Sequence, residues 1–297
     1  MRIEDYLKER ATLVERGLTE ILNERRDRAE PRLLEAMEYS LASPGKRIRP
    51  ILTLAAAEAV GAAIEPVLPF ACAIEMVHTY SLVHDDLPAM DDDDLRRGRA
   101  ANHKVFGEGI AILAGDALLT EAFAVMSRAD GGGGPSPERR LAAIGELAGA
   151  AGALGMVGGQ TADLLAEGEA AGLEQVESIH RRKTGALLRA AVRIGAVLGG
   201  GSLEASEALS RYAEAIGFAF QVADDVLDEI GDTQATGKSA ARDRALEKST
   251  VPRLLGVERS RGLVRELLER GLGALSAFGA EADPLRGIAR TIVARAL

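Results

Sequence analysis

The chain has 297 residues and, with 36 Lys and Arg against 45 Asp and Glu, a formal net charge of −9. The acidic balance and the 3% aromatic content, with no Trp, argue against general nucleic-acid binding. The length suits one large or two small domains, the 47% hydrophobic content indicates a packed core, and the single cysteine, Cys72, excludes an internal disulfide and favours a reducing cytoplasm.

The N-terminal part of the chain is predicted to be helical. Apolar residues recur there at intervals of three and four, for example at Val14, Leu18 and Ile21. Four prolines stand where first helical turns are expected, at Pro31, Pro50, Pro66 and Pro137. The N-terminus lacks the apolar segment of a signal peptide, and charged residues and prolines interrupt the apolar stretch 51–77. We therefore expect this stretch to form a pair of core helices, with no stable insertion in a membrane.

The rest of the chain shows the same helical pattern. The Gly- and Pro-rich segment 130–137 is predicted to be a surface loop. From Leu173 to Leu198 the apolar spacing predicts one long helix. No run of alternating β-branched residues predicts a sheet, and no repeat of fixed period is present. The predicted fold class is therefore all-α, with about ten helices packed as one domain.

A first acidic cluster, segment 85–94, follows an apolar helix predicted over 70–83. It holds six carboxylates within ten residues and is followed by Arg96 and Arg97. A solvated acidic loop is the alternative interpretation. Its position favours Mg²⁺ bridging to a phosphorylated ligand, because Mg²⁺ takes one or two protein carboxylates and completes its coordination with water and phosphate oxygens. Pro88 should break the helix, so periodicity leaves open whether Asp91 or Asp92 returns to the site.

A second acidic cluster lies at segment 221–228. Asp224 and Asp228 are four residues apart, so they share one helix face, where like charges destabilise a helix without a ligand. Alone, the cluster is equally typical of an exposed acidic face. Two such clusters on two apolar helices, however, predict the facing walls of a cavity for a metal and a diphosphate.

Basic residues supply the opposite charge at four segments, 45–50, 181–185, 237–239 and 248–250. Segment 45–50 opens a helix, so its side chains and backbone N–H groups suit an anion, although an ordinary basic helix start is the alternative. Lys and Arg both bind phosphate strongly, Arg through its fork and Lys as a point charge. These segments therefore supplement the acidic clusters as candidate diphosphate contacts.

The histidines give a weaker signal. His78 stands seven residues before Asp85, nearly in phase on a helix, so we expect it to face the same cavity, with a core histidine as the alternative. His103 and His180 have no partner at metal-ligand spacing and are predicted to be ordinary surface or cap residues. Segment 231–239 resembles a nucleotide-binding loop but has five residues between its glycines instead of four, and no strand precedes it, which excludes that interpretation.

Taken together, these segments resemble the trans-isoprenyl diphosphate synthases. The resemblance rests on motifs that occur in the family's order, at segments 45–50, 78–88, 91–98, 183–185 and 221–228. The most similar subgroup is the bacterial short-chain synthases of the farnesyl diphosphate type, whose first aspartate motif has two extra residues, as segment 87–90 does here. The resemblance implies an all-α isoprenoid-synthase bundle around a central cavity, formed by a single polyprenyl synthetase domain over 1–297, and a cytoplasmic homodimer.

The resemblance also implies roles for individual residues. About three Mg²⁺ ions, with Mn²⁺ as the alternative, would be held by carboxylates. The implied ligands are Asp85, Asp91 and Asp224, with Asp86, Asp225 and Asp228 as additional candidates. Isopentenyl diphosphate would be held by Lys46, Arg49, His78 and Arg97, and Gly45 is implied to bind substrate. The allylic diphosphate would be held by Arg96, Lys183, Thr184, Gln221 and Lys238. The residues implied to be catalytic are Asp85, Asp86, Asp91, Arg96, Lys183 and Asp224.

The implied reaction joins isopentenyl diphosphate head to tail to an allylic diphosphate such as dimethylallyl or geranyl diphosphate. Tyr80 and Ser81 precede the first aspartates, and an aromatic residue at the position of Tyr80 resembles the stop that favours a fifteen-carbon product. Farnesyl diphosphate is therefore the expected product, with geranylgeranyl and geranyl diphosphate as alternatives. A terpene cyclase shares the fold but has a different second motif, and a silent partner subunit usually lacks one of the motifs.

Overall fold

A computed structural model of the chain describes residues 2–128, 134–166, 168, 170–231, 249–294 and 296. Eight helices precede the segment that the sequence predicts as one long helix. Their bounds are α1 Ile3–Asn23, α2 Pro31–Leu41, α3 Ile48–Ala59, α4 Leu68–Asp85, α5 Asn102–Phe106, α6 Glu108–Ser127, α7 Pro137–Ala151 and α8 Met156–Leu165. The later elements are α9 Leu173–His180, a π-helical turn Arg181–Gly185, α10 Ala186–Gly199, α11 Leu203–Ile230, α12 Val251–Leu255, α13 Val257–Ala274, a 3₁₀ turn Ala280–Ala282 and α14 Asp283–Val293.

The all-α prediction is confirmed. Among the described residues the strands are confined to a small antiparallel hairpin, β1 Leu95–Arg96 and β2 Arg99–Ala100. The hairpin follows the first acidic cluster directly. It is too short to show the alternation by which a sequence reveals a strand.

The centre of the bundle is α4. This helix is buried on nearly all sides from Phe70 to Val83, as expected of a helix whose apolar residues do not keep to one face. It packs against α1, α2, α3, α6 and α10. Helix α10 also packs against α11, so the two helices that carry the aspartate clusters belong to one bundle.

The predicted long helix over 173–198 is correct in extent but wrong in regularity. It continues through α9 and α10, yet residues 181–185 form a π-helical turn instead of an α-helical one. Helix α8 approaches this turn so closely that a Cβ atom on Gly159 would lie 2.2 Å from the backbone N of Lys183. Periodicity does not reveal such a turn, because its position depends on a neighbouring helix.

The prolines mostly stand where they were predicted. Pro31 and Pro137 are the first residues of α2 and α7, and Pro50 lies in the first turn of α3. Pro66 differs, because it lies in the turn before α4, whose first helical turn contains Pro69 instead. Of the predicted loop 130–137, residues 134–136 are described and precede α7.

Among the described residues, two helical segments are apolar and long enough to cross a membrane by length and composition alone, Glu108–Ser127 and Pro137–Leu165, the second of which contains α7 and α8. Core helices of globular proteins pass the same test. Only 39% and 33% of their most apolar windows are buried, however. Apolar side chains such as Ile112 and Leu113 on α6 are therefore left exposed.

Candidate functional site

One cavity of about 1320 Å³ is bordered by both aspartate-bearing helices, α4 and α11. Most of the residues implied by the resemblance lie on its lining. These are Gly45, Lys46, Arg49, His78, Tyr80, Ser81, Asp85, Asp91, Arg96, Arg97, Lys183, Thr184, Gln221, Asp224 and Asp228. Asp86 does not border the cavity, and Lys238 lies outside the described residues.

The first acidic wall is built by a chain reversal. Helix α4 ends at Asp85, and the backbone N–H of Asp91 then donates to the backbone O of Asp85 at 2.8 Å. Asp92 adopts a left-handed conformation, with φ of 49°, and does not border the cavity. The alternative left open by periodicity is thus decided in favour of Asp91, the residue that lines the cavity beside Asp85.

Asp86 points to an arginine. The Nε of Arg96 donates to Asp86 Oδ1 at 2.8 Å, and Nη2 of the same guanidinium contacts the same oxygen. Burial lowers the pKa of Arg96, but the hydrogen bond and the charge of Asp86 outweigh burial and raise the pKa overall. The carboxylate of Asp86 therefore fixes the orientation of Arg96 on the hairpin. The resemblance implies instead that Asp86 is an additional metal ligand.

The second acidic wall is the C-terminal part of α11. Asp224 and Asp228 line the cavity together, one helical turn apart. Asp225 also borders the cavity, and its Oδ2 lies 3.4 Å from Nε2 of His180 and accepts a hydrogen bond from the backbone N–H of Val251. Asp225 thus connects α11 to α9 and to the start of α12.

Gln221 and His180 hold the π-helical turn against α11. Oε1 of Gln221 accepts a hydrogen bond from Thr184 Oγ1 at 3.2 Å, and it lies 3.2 Å from Nδ1 of His180. Burial lowers the pKa of His180, but the hydrogen bond to Asp225 and its charge raise the pKa overall. The prediction that His180 is a surface or cap residue is wrong, because its side chain is only 14% exposed and contacts α11.

The cavity is also lined by a partly buried group of basic residues, Arg49, Arg97 and His78. Burial lowers the pKa of Arg49 to about 10, which leaves the guanidinium charged at neutral pH, and its Nε has no hydrogen-bond partner among the described residues. Burial also lowers the pKa of Arg97. Burial and then the charges of Arg49 and Arg97 hold the pKa of His78 well below its usual value, so the imidazole is neutral. This arrangement favours a strongly anionic ligand.

The sequence interpretation missed the ion pair that supports these cations. Arg47 is 3% exposed and its Nη1 donates to Glu75 Oε1 at 2.8 Å. Its Nη2 donates to the backbone oxygens of Leu41 and Ser43 at 2.6 and 3.0 Å. Arg47 thereby fixes the start of α3, where Lys46 and Arg49 line the cavity. A signal existed in the sequence, because Glu75 is a lone charge in an apolar helix, and such a residue is rarely buried unless it is paired.

Two polar residues of α8 were also missed. Nζ of Lys183 contacts Asp163 Oδ2 at 2.6 Å, so the lysine already has a carboxylate partner at the cavity edge. Gln160 lines the cavity with both polar atoms of its amide buried and without a hydrogen-bond partner among the described residues. Neither residue belongs to a motif that the sequence singled out, because each reaches the cavity only through the packing of α8 against other helices.

The donor set suits a hard divalent cation. Among the carboxylates that border the cavity, Asp85 and Asp91 belong to the first wall, and Asp224, Asp225 and Asp228 belong to the second. Oxygen ligands of this kind, in a cavity that is also lined by arginines, fit Mg²⁺ carrying phosphate oxygens. The arrangement can therefore bind a metal–diphosphate unit and stabilise charge that develops on it.

Comparison with known proteins gives a consistent result. Residues 30–278 match the family model described as "Polyprenyl synthetase". The chain is 45% identical over 285 residues to a heterodimeric geranylgeranyl pyrophosphate synthase large subunit 1 of Arabidopsis thaliana, covering 93% of this chain and 77% of that protein. It is 46% identical over 295 residues to a dimethylallyltranstransferase of Fischerella ambigua (strain UTEX 1903), covering 98% and 83%. A crystal structure of an FPP/GFPP synthase from Zymomonas mobilis has a TM-score of 0.83 and 37% identity, covering 97% of this chain and 99% of that one.

Proposed function

We propose that the chain, which belongs to the polyprenyl synthetase family and is a prenyltransferase, makes geranylgeranyl diphosphate. Its substrates in this proposal are isopentenyl diphosphate and an allylic diphosphate. The observation that carries the chemistry is the single cavity bordered by Asp85, Asp91 and Asp224 together with Arg49 and Lys183. A diphosphate that departs from an allylic carbon needs this combination, because its developing charge must be stabilised.

Each side of the cavity takes one substrate in this proposal. Mg²⁺, held by Asp85, Asp91 and Asp224, supplies Lewis-acid stabilisation of the departing diphosphate when it is bound. Arg96, Lys183, Thr184 and Gln221 bind the allylic diphosphate, and Lys183 exchanges its contact with Asp163 for a phosphate oxygen. Lys46, Arg49, Arg97 and neutral His78 bind isopentenyl diphosphate. Lys238, which lies outside the described residues, is proposed as a further contact to the allylic diphosphate.

The reaction needs little else from the protein. The C–O bond of the allylic diphosphate breaks, and the double bond of isopentenyl diphosphate attacks the allylic carbon head to tail. A proton is then lost from the condensed chain, and the released diphosphate accepts it. The apolar part of the lining, including Leu188 and Phe220, excludes water from the allylic cation and surrounds the growing chain.

The names of the relatives favour a twenty-carbon product over the fifteen-carbon product expected from the motifs. Farnesyl diphosphate remains the second candidate, because of one side chain. Tyr80 lines the cavity, is 6% exposed, and meets the ring of His84 edge-on with centroids 5.7 Å apart. A fixed aromatic ring in the cavity lining would stop a growing prenyl chain early.

Incubation of the purified protein with isopentenyl and dimethylallyl diphosphates and Mg²⁺ tests the proposal, with mass spectrometry of the products. Geranylgeranyl diphosphate as the main product supports it, and farnesyl diphosphate supports the second candidate. A cyclic hydrocarbon would identify a terpene cyclase. Absence of any condensation would identify a non-catalytic subunit and contradict the proposal.

Tyr80→Ala is expected to lengthen the main product by at least one five-carbon unit. The substitution removes the ring of Tyr80 from the cavity lining. Tyr80 stands five residues before Asp85 on α4, so the two side chains are about 140° apart around the helix and Tyr80 flanks the aspartate. The measurement is the product distribution at equal substrate conversion. Tyr39→Ala removes an aromatic ring that does not line the cavity and serves as the control. An unchanged product distribution in Tyr80→Ala would show that another residue limits the length of the product.

Gly159→Ala is expected to lower kcat about tenfold or more, because the geometry of the π-helical turn would change. The new Cβ would lie 2.2 Å from the N and 2.6 Å from the Cα of Lys183, so backbone atoms must move. Gly145→Ala on α7 is the matched control, since nothing lies within 4 Å of its Cβ position. Steady-state kinetics and thermal unfolding of both variants decide the outcome. A normal kcat in Gly159→Ala would mean that the turn tolerates displacement.

We also propose that the protein is a cytoplasmic homodimer. The exposed apolar side chains of α6 and α8, such as Leu113 at 53% and Val157 at 48%, support an interface between copies. The buried, unpaired Cys72 supports a reducing compartment. Some relatives are named as large subunits of heterodimers, so sedimentation of the protein alone is the test. A monomer at micromolar concentration would contradict the homodimer.

A further inference from the structure

Three potential metal ligands meet outside the catalytic cavity. They are Asp92, Asp94 and His103, and one ligand atom from each lies within 4.8 Å of the others. None of the three borders the catalytic cavity. Asp92 and Asp94 lie just before the β1–β2 hairpin, and His103 follows it on α5. The cluster therefore brings together residues from both ends of the hairpin.

The side chain of His103 is buried without a hydrogen bond among the described residues. His103 is only 6% exposed, and neither ring nitrogen has a hydrogen-bond partner among the described residues. A buried polar group without a partner is unfavourable and needs an explanation. The prediction of an ordinary surface or cap residue is therefore wrong for His103 as well. Its ring reaches the two carboxylates, and a cation between them would satisfy a ring nitrogen.

We propose that Asp92, Asp94 and His103 bind a divalent transition-metal cation of the Zn²⁺ type. An imidazole nitrogen with two carboxylate oxygens is a donor set typical of Zn²⁺ and its neighbours, whereas Mg²⁺ prefers oxygen ligands alone. Asp94 already has one cationic contact, from Nζ of the exposed Lys104 to Asp94 Oδ1 at 2.7 Å. The lysine therefore competes with the metal for this carboxylate.

The site is distinct from the proposed catalytic metal centre but connected to it through the hairpin. The hairpin carries Arg96 and Arg97, which border the catalytic cavity. Its ends are already joined by a hydrogen bond from the backbone N–H of Ala101 to the backbone O of Asp94 at 2.8 Å. A metal that links residues before and after the hairpin adds a second connection. Bound metal therefore stabilises the segment that presents the two arginines.

Titration with Co²⁺ tests the site, because its visible absorption changes when the ion leaves water for a protein site, and the His103 variant then shows whether the imidazole is a ligand. The titration is done on the full chain without any diphosphate and with excess Mg²⁺, which competes for the oxygen-only ligands of the catalytic cavity. We expect saturable Co²⁺ binding, displaced by Zn²⁺, and a raised thermal unfolding midpoint. Removal of a group that only orients a metal ligand already weakens metal binding about tenfold or more, so loss of a ligand should cost at least as much.

Asp92→Asn and His103→Gln are both expected to weaken Co²⁺ binding by that factor. His103 is buried, so His103→Gln can lose binding because the protein loses stability. Asp92 is exposed, so Asp92→Asn tests metal binding independently of stability. Lys104→Gln is expected to strengthen binding, and Asp27→Asn, at an exposed carboxylate elsewhere, to leave it unchanged. Three results would overturn the proposal: no saturable binding, equal binding by wild type and Asp92→Asn, or binding lost only in Asp85→Asn.

Discussion

Replacing Asp224 with alanine is expected to lower kcat about a hundredfold or more while leaving the free energy of unfolding unchanged or slightly raised. Asp224 lines the catalytic cavity one turn before Asp228 on α11. Two like charges at this spacing repel, so removing one relieves about 0.3 kcal/mol in the protein without ligands. The same carboxylate is needed when a metal and a diphosphate must be held together.

The experiment measures kcat with both substrates saturating and the free energy of unfolding from urea denaturation. Glu207→Ala, at an exposed carboxylate on the same helix, is the control and should change neither quantity. Asp85→Ala should behave like Asp224→Ala, because Asp85 lines the same cavity from the end of α4. Parallel loss of activity and of folding in both aspartate variants would show that the acidic clusters serve the structure.

Arg47→Ala, unlike Asp224→Ala, is expected to lower the free energy of unfolding, by about 3–5 kcal/mol. The side chain of Arg47 is 1% exposed and that of its partner Glu75 is 2% exposed, so the substitution leaves a carboxylate buried without its cation. The backbone oxygens of Leu41 and Ser43 lose their donor as well. A domain with a typical stability of about 5–15 kcal/mol would then be close to unfolding.

Two further variants separate the charge from the packing. Arg47→Met combined with Glu75→Met should recover most of the stability, because a buried ion pair is often replaceable by apolar residues of similar volume. Activity should not recover, since the loop that carries Lys46 and Arg49 loses its anchor. Arg16→Ala removes half of an exposed pair with Glu20, 68% exposed on each side, and should cost less than about 1 kcal/mol. A similarly small cost in Arg47→Ala would contradict the importance of the buried pair.

Much of the site was predictable because its motifs are short. The aspartate clusters, the segment containing Lys46 and Arg49, and the segment containing Lys183 each lie within one helix or at one helix end. Residue type and spacing indicate their chemistry without any knowledge of distant contacts. Chain length of the product was less predictable. It depends on how far the cavity extends beyond Tyr80, which is a property of several packed helices.

The sequence by itself determined the all-α fold class and the family, and most of the residues that it singled out line the cavity. Helix periodicity and motif order are local properties of the chain, which is why they could be recognised. Only the tertiary structure decided which partner each charge has. It paired Asp86 with Arg96, selected Asp91 over Asp92, and buried Arg47 against Glu75. The physical reason is that burial and ion pairing depend on which helices pack together, and residues far apart in sequence carry no local signal of such contacts.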